Sequence, residues 1–238
     1  MDLKGPSSPR RLTRMQRRLL RHHLPIGIVA ALSVAALYYS RGRGDVISWL
    51  SFSTAYPALV LLAITLLIGP WNLLRRKANP ISTDLRRDIG IWAGILSILH
   101  AGIGQCVHLR GRPWLYYVYG PAEHHHGLRH DLFGFSNYTG ALSVLLVALL
   151  FATSNDASLR RLGTAGWKKL QRWNYFGFGL ACAHAIGYFA IEKQKLPFIA
   201  FAATCMAITV VLQMWGVVLR RQKLAAQAPA AIPATRQQ

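Results

Sequence analysis

The sequence predicts an all-α fold: a polytopic membrane helix bundle of about six transmembrane helices with both termini in the cytoplasm. Three observations predict it. Of 238 residues 53% are apolar and only 15% charged, a balance that suits lipid better than water. The apolar residues gather into six runs close to the roughly 20 residues needed to cross a hydrocarbon core about 30 Å thick. The basic residues, finally, alternate in density from one connecting segment to the next.

The six runs lie at about Leu24–Tyr39, Trp49–Ile68, Ile89–Val107, Phe133–Phe151, Trp173–Ile191 and Pro197–Leu219, the first three ended by Arg, Gly or Pro and the sixth closed by Arg220 and Arg221. Seven Lys or Arg precede the first run, five lie between the second and third, five between the fourth and fifth, and four follow the sixth. These segments hold 21 of the 28 basic residues, so the positive-inside rule places them, and both termini, in the cytoplasm. The basic leader of 23 residues is long for a signal peptide, and its cleavage would leave the later topology unchanged. The expected organisation is a basic cytoplasmic tail over 1–23, a transmembrane domain over 24–222 and an Ala, Pro and Gln-rich tail over 223–238, expected to be disordered.

A formal charge of +20 raises nucleic acid as a partner, but the cations stand in short clusters beside apolar spans, where they orient helices in lipid. Membrane lipid is the expected partner, and nucleic acid is not. No glycine-rich nucleotide loop follows a predicted strand. Cys106, Cys182 and Cys205 lack metal-ligand spacing and read as small buried hydrophobes. The glycines of the spans, among them Gly94, Gly102, Gly104, Gly177, Gly179 and Gly187, suit close helix packing or room for a flat cofactor.

His100 and His184 lie deep inside apolar spans, where an ionisable group is costly. Each stands 12 residues past a charged residue at the cytoplasmic edge, Asp88 and Arg172, so the two share one depth, about 18 Å into the membrane by helical rise. A lone histidine there is more often a core residue bonded to a carbonyl. Two at one level on parallel helices can instead ligate opposite faces of a haem iron.

The stretch Arg86 to His100, RRDIGIWAGILSILH, resembles the third membrane helix of the ferric-reductase-like transmembrane domain. The stretch Leu162 to His184, LGTAGWKKLQRWNYFGFGLACAH, is similar to the entry to that family's fifth helix. The resemblance covers roughly Ser82 to Arg221 and is nearest to haem-binding membrane subunits of the MsrQ (YedZ) type. It implies that His100 and His184 are the outer ligands of one b-type haem, making 24–222 a haem-binding domain. Gln171 stands where the family usually has a further histidine, so an inner haem with two histidine ligands is not expected. Arg86, Arg87, Gln171 and Arg172 instead form a cationic, hydrogen-bonding rim, either a site for a flavin phosphate or quinone carbonyl or simple helix anchors. Trp167 and Trp173 could stack on either ring.

Between the third and fourth runs, about Arg110 to Leu132, lies a long outer loop holding His124, His125, His126, His130, Glu123 and Asp131. It reads either as a collector of ferric or cupric ions or as a solvated His-rich loop without fixed geometry. Trp114, Tyr116, Tyr117 and Tyr119 fit an interfacial aromatic belt, Arg110 and Arg112 could meet haem propionates, and Asn137 opens a glycosylation sequon.

These readings lead to an integral protein of a bacterial inner membrane that moves electrons from a quinol or flavin donor to an extracytoplasmic reductase partner. No acid, base or nucleophile is expected. The alternatives are a terminal ferric or cupric reductase, and a haem-free transporter or assembly factor.

Overall fold

The computed structural model describes residues 12–40, 44–75, 83–109, 111–121, 123–124 and 126–226. Expectations about Arg110, His125, 1–11 and 227–238 lie outside the described residues. The elements are α1 Arg14–Arg18, a π-helical turn Leu19–His23, α2 Leu24–Tyr39, α3 Val46–Leu74, α4 Thr83–Gly104, a short 3₁₀ turn Pro113–Tyr116, α5 Leu132–Ala152, α6 Asp156–Gln171, α7 Trp173–Ile191 and α8 Leu196–Ala226. Strand pairing among the described residues is limited to one isolated bridge, Val118 with Leu128.

Among the described residues four helices are long and apolar enough to cross a membrane: Arg14–Tyr39, Val46–Leu74, Leu132–Ala152 and Leu196–Ala226. The other two expected spans correspond to the helices α4 and α7, of 22 and 19 residues, which are not among these four and which carry the histidines. The first helix begins earlier than expected, because Thr13 and Gln16 form a reciprocal cap at its start. Part of the expected N-terminal tail is therefore helical. At the other end α8 continues to Ala226, past the expected boundary at 222.

The core forms around α3. Its Phe52, Tyr56, Leu59, Leu62, Ala63 and Leu66 meet Ala93 of α4, Val147 of α5, Phe178 of α7, and Ala202 and Met206 of α8. Outward-facing side chains of α8, such as Val210, Val211 and Met214, are exposed, as suits a surface facing lipid. Proline at 70 has no N–H to give the Leu66 carbonyl one turn back. Gln213 of α8 supplies the missing donor, its Nε2 lying 2.5 Å from Leu66 O. Helices α5 and α7 approach closely where small residues face each other, with Ser143 Oγ donating to Gly177 O at 2.9 Å and Gly187 lying against Ser136.

One end of the bundle is held by charges. Asp88 of α4 is fully buried and is met by Arg18, by His22 at 2.7 Å and by His23 at 3.2 Å. Four residues earlier on both helices, Arg14 pairs with Asp84 at 2.8 Å. Equal steps of four residues in the same direction mean that α1 runs parallel to α4. Arg87 reaches the other way, to Asp156 at the start of α6 at 2.5 Å.

Candidate functional site

Helix α4 leans on α3 and α7 leans on α5, and a cavity of about 520 Å³ opens between these pairs. His100 and His184 enter it from opposite walls. His100 Nδ1 lies 2.9 Å from Ser51 O, and His184 Nδ1 lies 2.8 Å from Ser136 O. A carbonyl only accepts, so each Nδ1 carries the proton and donates. That tautomer leaves the Nε2 lone pair of both rings available for ligation.

The ring centroids are 6.0 Å apart with planes at 73°. An imidazole nitrogen sits about 2.0 Å from a metal it binds, so two rings sharing one ion end-on have centroids about 6 Å apart. The observed spacing fits one ion between them. Among the described residues no three His, Cys, Asp or Glu side chains converge to hold a bare ion. Two neutral imidazoles would instead suit a metal that arrives with its remaining ligands already supplied by a macrocycle. Gly140 sets the position of the second ring, since a Cβ on it would come within 2.5 Å of His184 Nδ1. The His184 ring thus lies flush against the α5 backbone.

Towards the end of the cavity remote from Arg86, the lining turns polar. Tyr188, one turn beyond His184, has its ring centroid 4.8 Å from that imidazole and donates to Asn137 Oδ1 at 2.9 Å. His108 lies near Tyr188 with centroids 6.2 Å apart and pairs with Glu192 at 2.8 Å. Asn137 is buried in α5, with its Nδ2 donating to Phe133 O at 2.8 Å. Its side-chain amide is therefore committed inside the bundle.

At the opposite, charged end a second pocket of about 250 Å³ is lined by Arg86, Arg87, Gln171 and Arg172 together. Trp167 also lines it, its Nε1 donating to Thr153 O at 3.0 Å. Trp173 does not; it is exposed and packs edge-on to Phe176. Arg87 is buried, and its Nε has no hydrogen-bond partner among the described residues. The Arg87 guanidinium, bonded to Asp156, holds that exposed carboxyl below the usual carboxylate range. Leu62 lines both this pocket and the histidine cavity.

No family model matches the chain. A protein of Treponema pallidum (strain Nichols), named only as an uncharacterized protein, is 28% identical over 177 residues, 73% of this chain. The chain spans 43% of that relative's length.

The loop between α4 and α5 is more ordered than its composition suggested. Arg129 binds Glu123 at 3.1 Å and Asp131 at 2.8 Å, donates to Leu115 O at 3.3 Å and lies over the rings of Tyr119 and Phe133. Tyr119 N and Arg129 N bond across the loop to Gly127 O and Tyr117 O, both at 2.9 Å. Among the described residues this frame brings no three metal-ligating side chains together; His124, His126 and His130 are exposed, and His130 packs edge-on to Tyr119. Arg112 is exposed and does not line the histidine cavity. Two features escaped the sequence reading. Tyr188 is four residues after His184 and shares its helix face, a legible spacing. The Asp84 and Asp88 pair, four apart among only eight acidic residues, mirrors Arg14 and Arg18.

Proposed function

We propose that the chain is an integral protein of a bacterial inner membrane that holds one b-type haem between His100 and His184 and passes electrons across the bilayer. The observation that carries this reading is the imidazole pair, 6.0 Å between centroids with each Nδ1 committed to a backbone carbonyl. When bound, the haem supplies a one-electron couple. The chain's residues do the rest. His100 and His184 ligate through Nε2, Ser51 and Ser136 hold the tautomers, and the apolar lining keeps water from the iron.

In this reading all six long apolar runs cross the membrane with both termini in the cytoplasm, supported by the 21 basic residues on one side. Helices α4 and α7 cross despite their polar ends, because their histidines face the cavity rather than lipid. The pocket at Arg86, Arg87, Gln171 and Arg172 then opens to the cytoplasm and receives the electron donor, a quinol or a flavin. Its arginines suit a phosphate or a ring carbonyl, and Trp167 offers a stacking face. The electron leaves at the outer end, to an extracytoplasmic reductase partner. This reading also makes the chain a member of the ferric-reductase-like domain, near the MsrQ-type subunits, as the stretches ending at His100 and His184 suggest.

The test is the visible spectrum of detergent-purified protein and of His100→Ala and His184→Ala. The parent should show low-spin b-type absorption at one haem per chain, and each variant should lose it. A colourless parent expressed with ample haem supply, or full haem retention in both variants, overturns the proposal in favour of a haem-free bundle.

A further inference from the structure

Helix α6, Asp156–Gln171, lies at the charged end and touches the bundle at few points. Asp156 binds Arg87, Trp167 donates to Thr153 O and Gln171 Nε2 reaches Leu150 O at 3.5 Å. Between these ties no residue of α6 is buried. Arg160, Arg161, Lys168 and Lys169 are exposed, and no ion pair involving them is found among the described residues. The only acid on the helix, Asp156, is taken by Arg87. Such a stretch on a soluble protein reads as a solvated face.

Its surroundings argue otherwise. Leu162 of α6 is exposed, and Trp173, Tyr175 and Phe176 at the start of α7 are also about half exposed. Cations and large apolar side chains thus share one end of the bundle. Water alone suits only the first group. A helix with a basic face and an apolar one lies in the headgroup layer, where Trp and Tyr also concentrate.

We propose that α6 and the first turn of α7 form a binding surface for anionic phospholipid headgroups, with Arg160, Arg161, Lys168 and Lys169 contacting the phosphates. Trp173 and Phe176 flank the upper acyl chains. The kink at Gly163, where φ is 65°, separates the two cationic pairs on successive short helical segments. Only glycine adopts that backbone without strain. The proposal does not rest on haem binding.

The experiment is native mass spectrometry of the full chain in mixed micelles of equimolar phosphatidylglycerol and phosphatidylcholine. The parent is compared with Arg160→Gln/Arg161→Gln/Lys168→Gln/Lys169→Gln and with the charge-conserving Arg160→Lys/Arg161→Lys. Each basic residue near an anionic surface favours binding by about fivefold, so the parent should retain phosphatidylglycerol preferentially and the quadruple variant should lose at least tenfold of that preference. The charge-conserving variant should keep it. No preference in the parent, or an undiminished one in the quadruple variant at an unchanged melting temperature, overturns the proposal. The second outcome would place the lipid at another basic patch, and the first would leave these cations to solvent or to an acidic protein partner.

Discussion

Replacing Gly140 by Ala tests the histidine site without touching either proposed ligand. The added Cβ would stand 2.5 Å from His184 Nδ1 and 2.8 Å from its Cε1, whereas ordinary contact begins near 3.4 Å. The ring must retreat by about 1 Å or the α5 and α7 backbones must part. Retreat strains or breaks the 2.8 Å bond to Ser136 O, at a cost of about 1 kcal/mol, and overpacking of this kind adds about 1–3 kcal/mol. A ligand bond of about 2 Å cannot follow a 1 Å displacement. Together, about 2–4 kcal/mol acts against the ligated state, equivalent to roughly 30- to 1000-fold weaker haem retention. Gly179→Ala on α7, where a Cβ meets nothing within 4 Å, is the control. Absorption and electron paramagnetic resonance spectra should show high-spin or haem-free protein for Gly140→Ala and the parental low-spin signal for Gly179→Ala. Identical low-spin spectra and haem content in the two variants would refute the reasoning.

Three further outcomes follow from the packing. Asp88→Asn leaves Arg18, His22 and His23 facing an amide and should destabilise the protein by about 3 kcal/mol, the low end for a broken buried pair because Arg18 can reach headgroup water; a parental melting curve in detergent would show that the node contributes little. Gln213→Leu should orphan the Leu66 carbonyl at a cost of about 1–3 kcal/mol, and Pro70→Ala, which restores a helical N–H, should recover much of that loss; purely additive melting shifts would contradict the bond. The hydrogen bonds from Arg129 hold the Asp131 carboxyl below the ordinary carboxylate value, so its contribution to the outer loop should be intact above about pH 4 and vanish as the pH falls through the lowered value; hydrogen exchange over 117–131 between pH 7 and pH 3 should show this step in the parent and not in Asp131→Asn.

Most of the helical layout was legible because a lipid-solvated helix must be apolar for its whole length, a signal that needs no partner. His100 and His184 were legible for the opposite reason: a polar group at that depth stands out, and counting from Asp88 and Arg172 placed both at one level. The rim of Arg86, Arg87, Gln171 and Arg172 was also legible, and the structure brings all four to one pocket. Helix α6 was not. Gly163 and Gly166 weaken its propensity, and what orders it is tertiary: Asp156 to Arg87 and Trp167 to the end of α5. The outer loop was read as lacking geometry because the frame made by Arg129 depends on carboxylates and rings brought together by turns, with no periodicity to announce it.

The π-helical turn at Leu19–His23 has a consequence for how this sequence can change by descent. Leu24 N–H donates to Leu19 O, five residues back rather than four, so the turn carries one residue more than an α-helical path would use. Loss of a single codon there would let the helix continue as a plain α-helix with α2 undisturbed in its seat. The residues upstream would keep their facing, because the wide turn is what absorbs the extra residue, and Arg14 and Arg18 would still meet Asp84 and Asp88. A second loss would find no bulge to remove and would turn everything upstream by about 100°. Relatives that keep Asp84 and Asp88 should therefore tolerate a spacing from Arg14 to Leu24 shorter by one residue, and not by two.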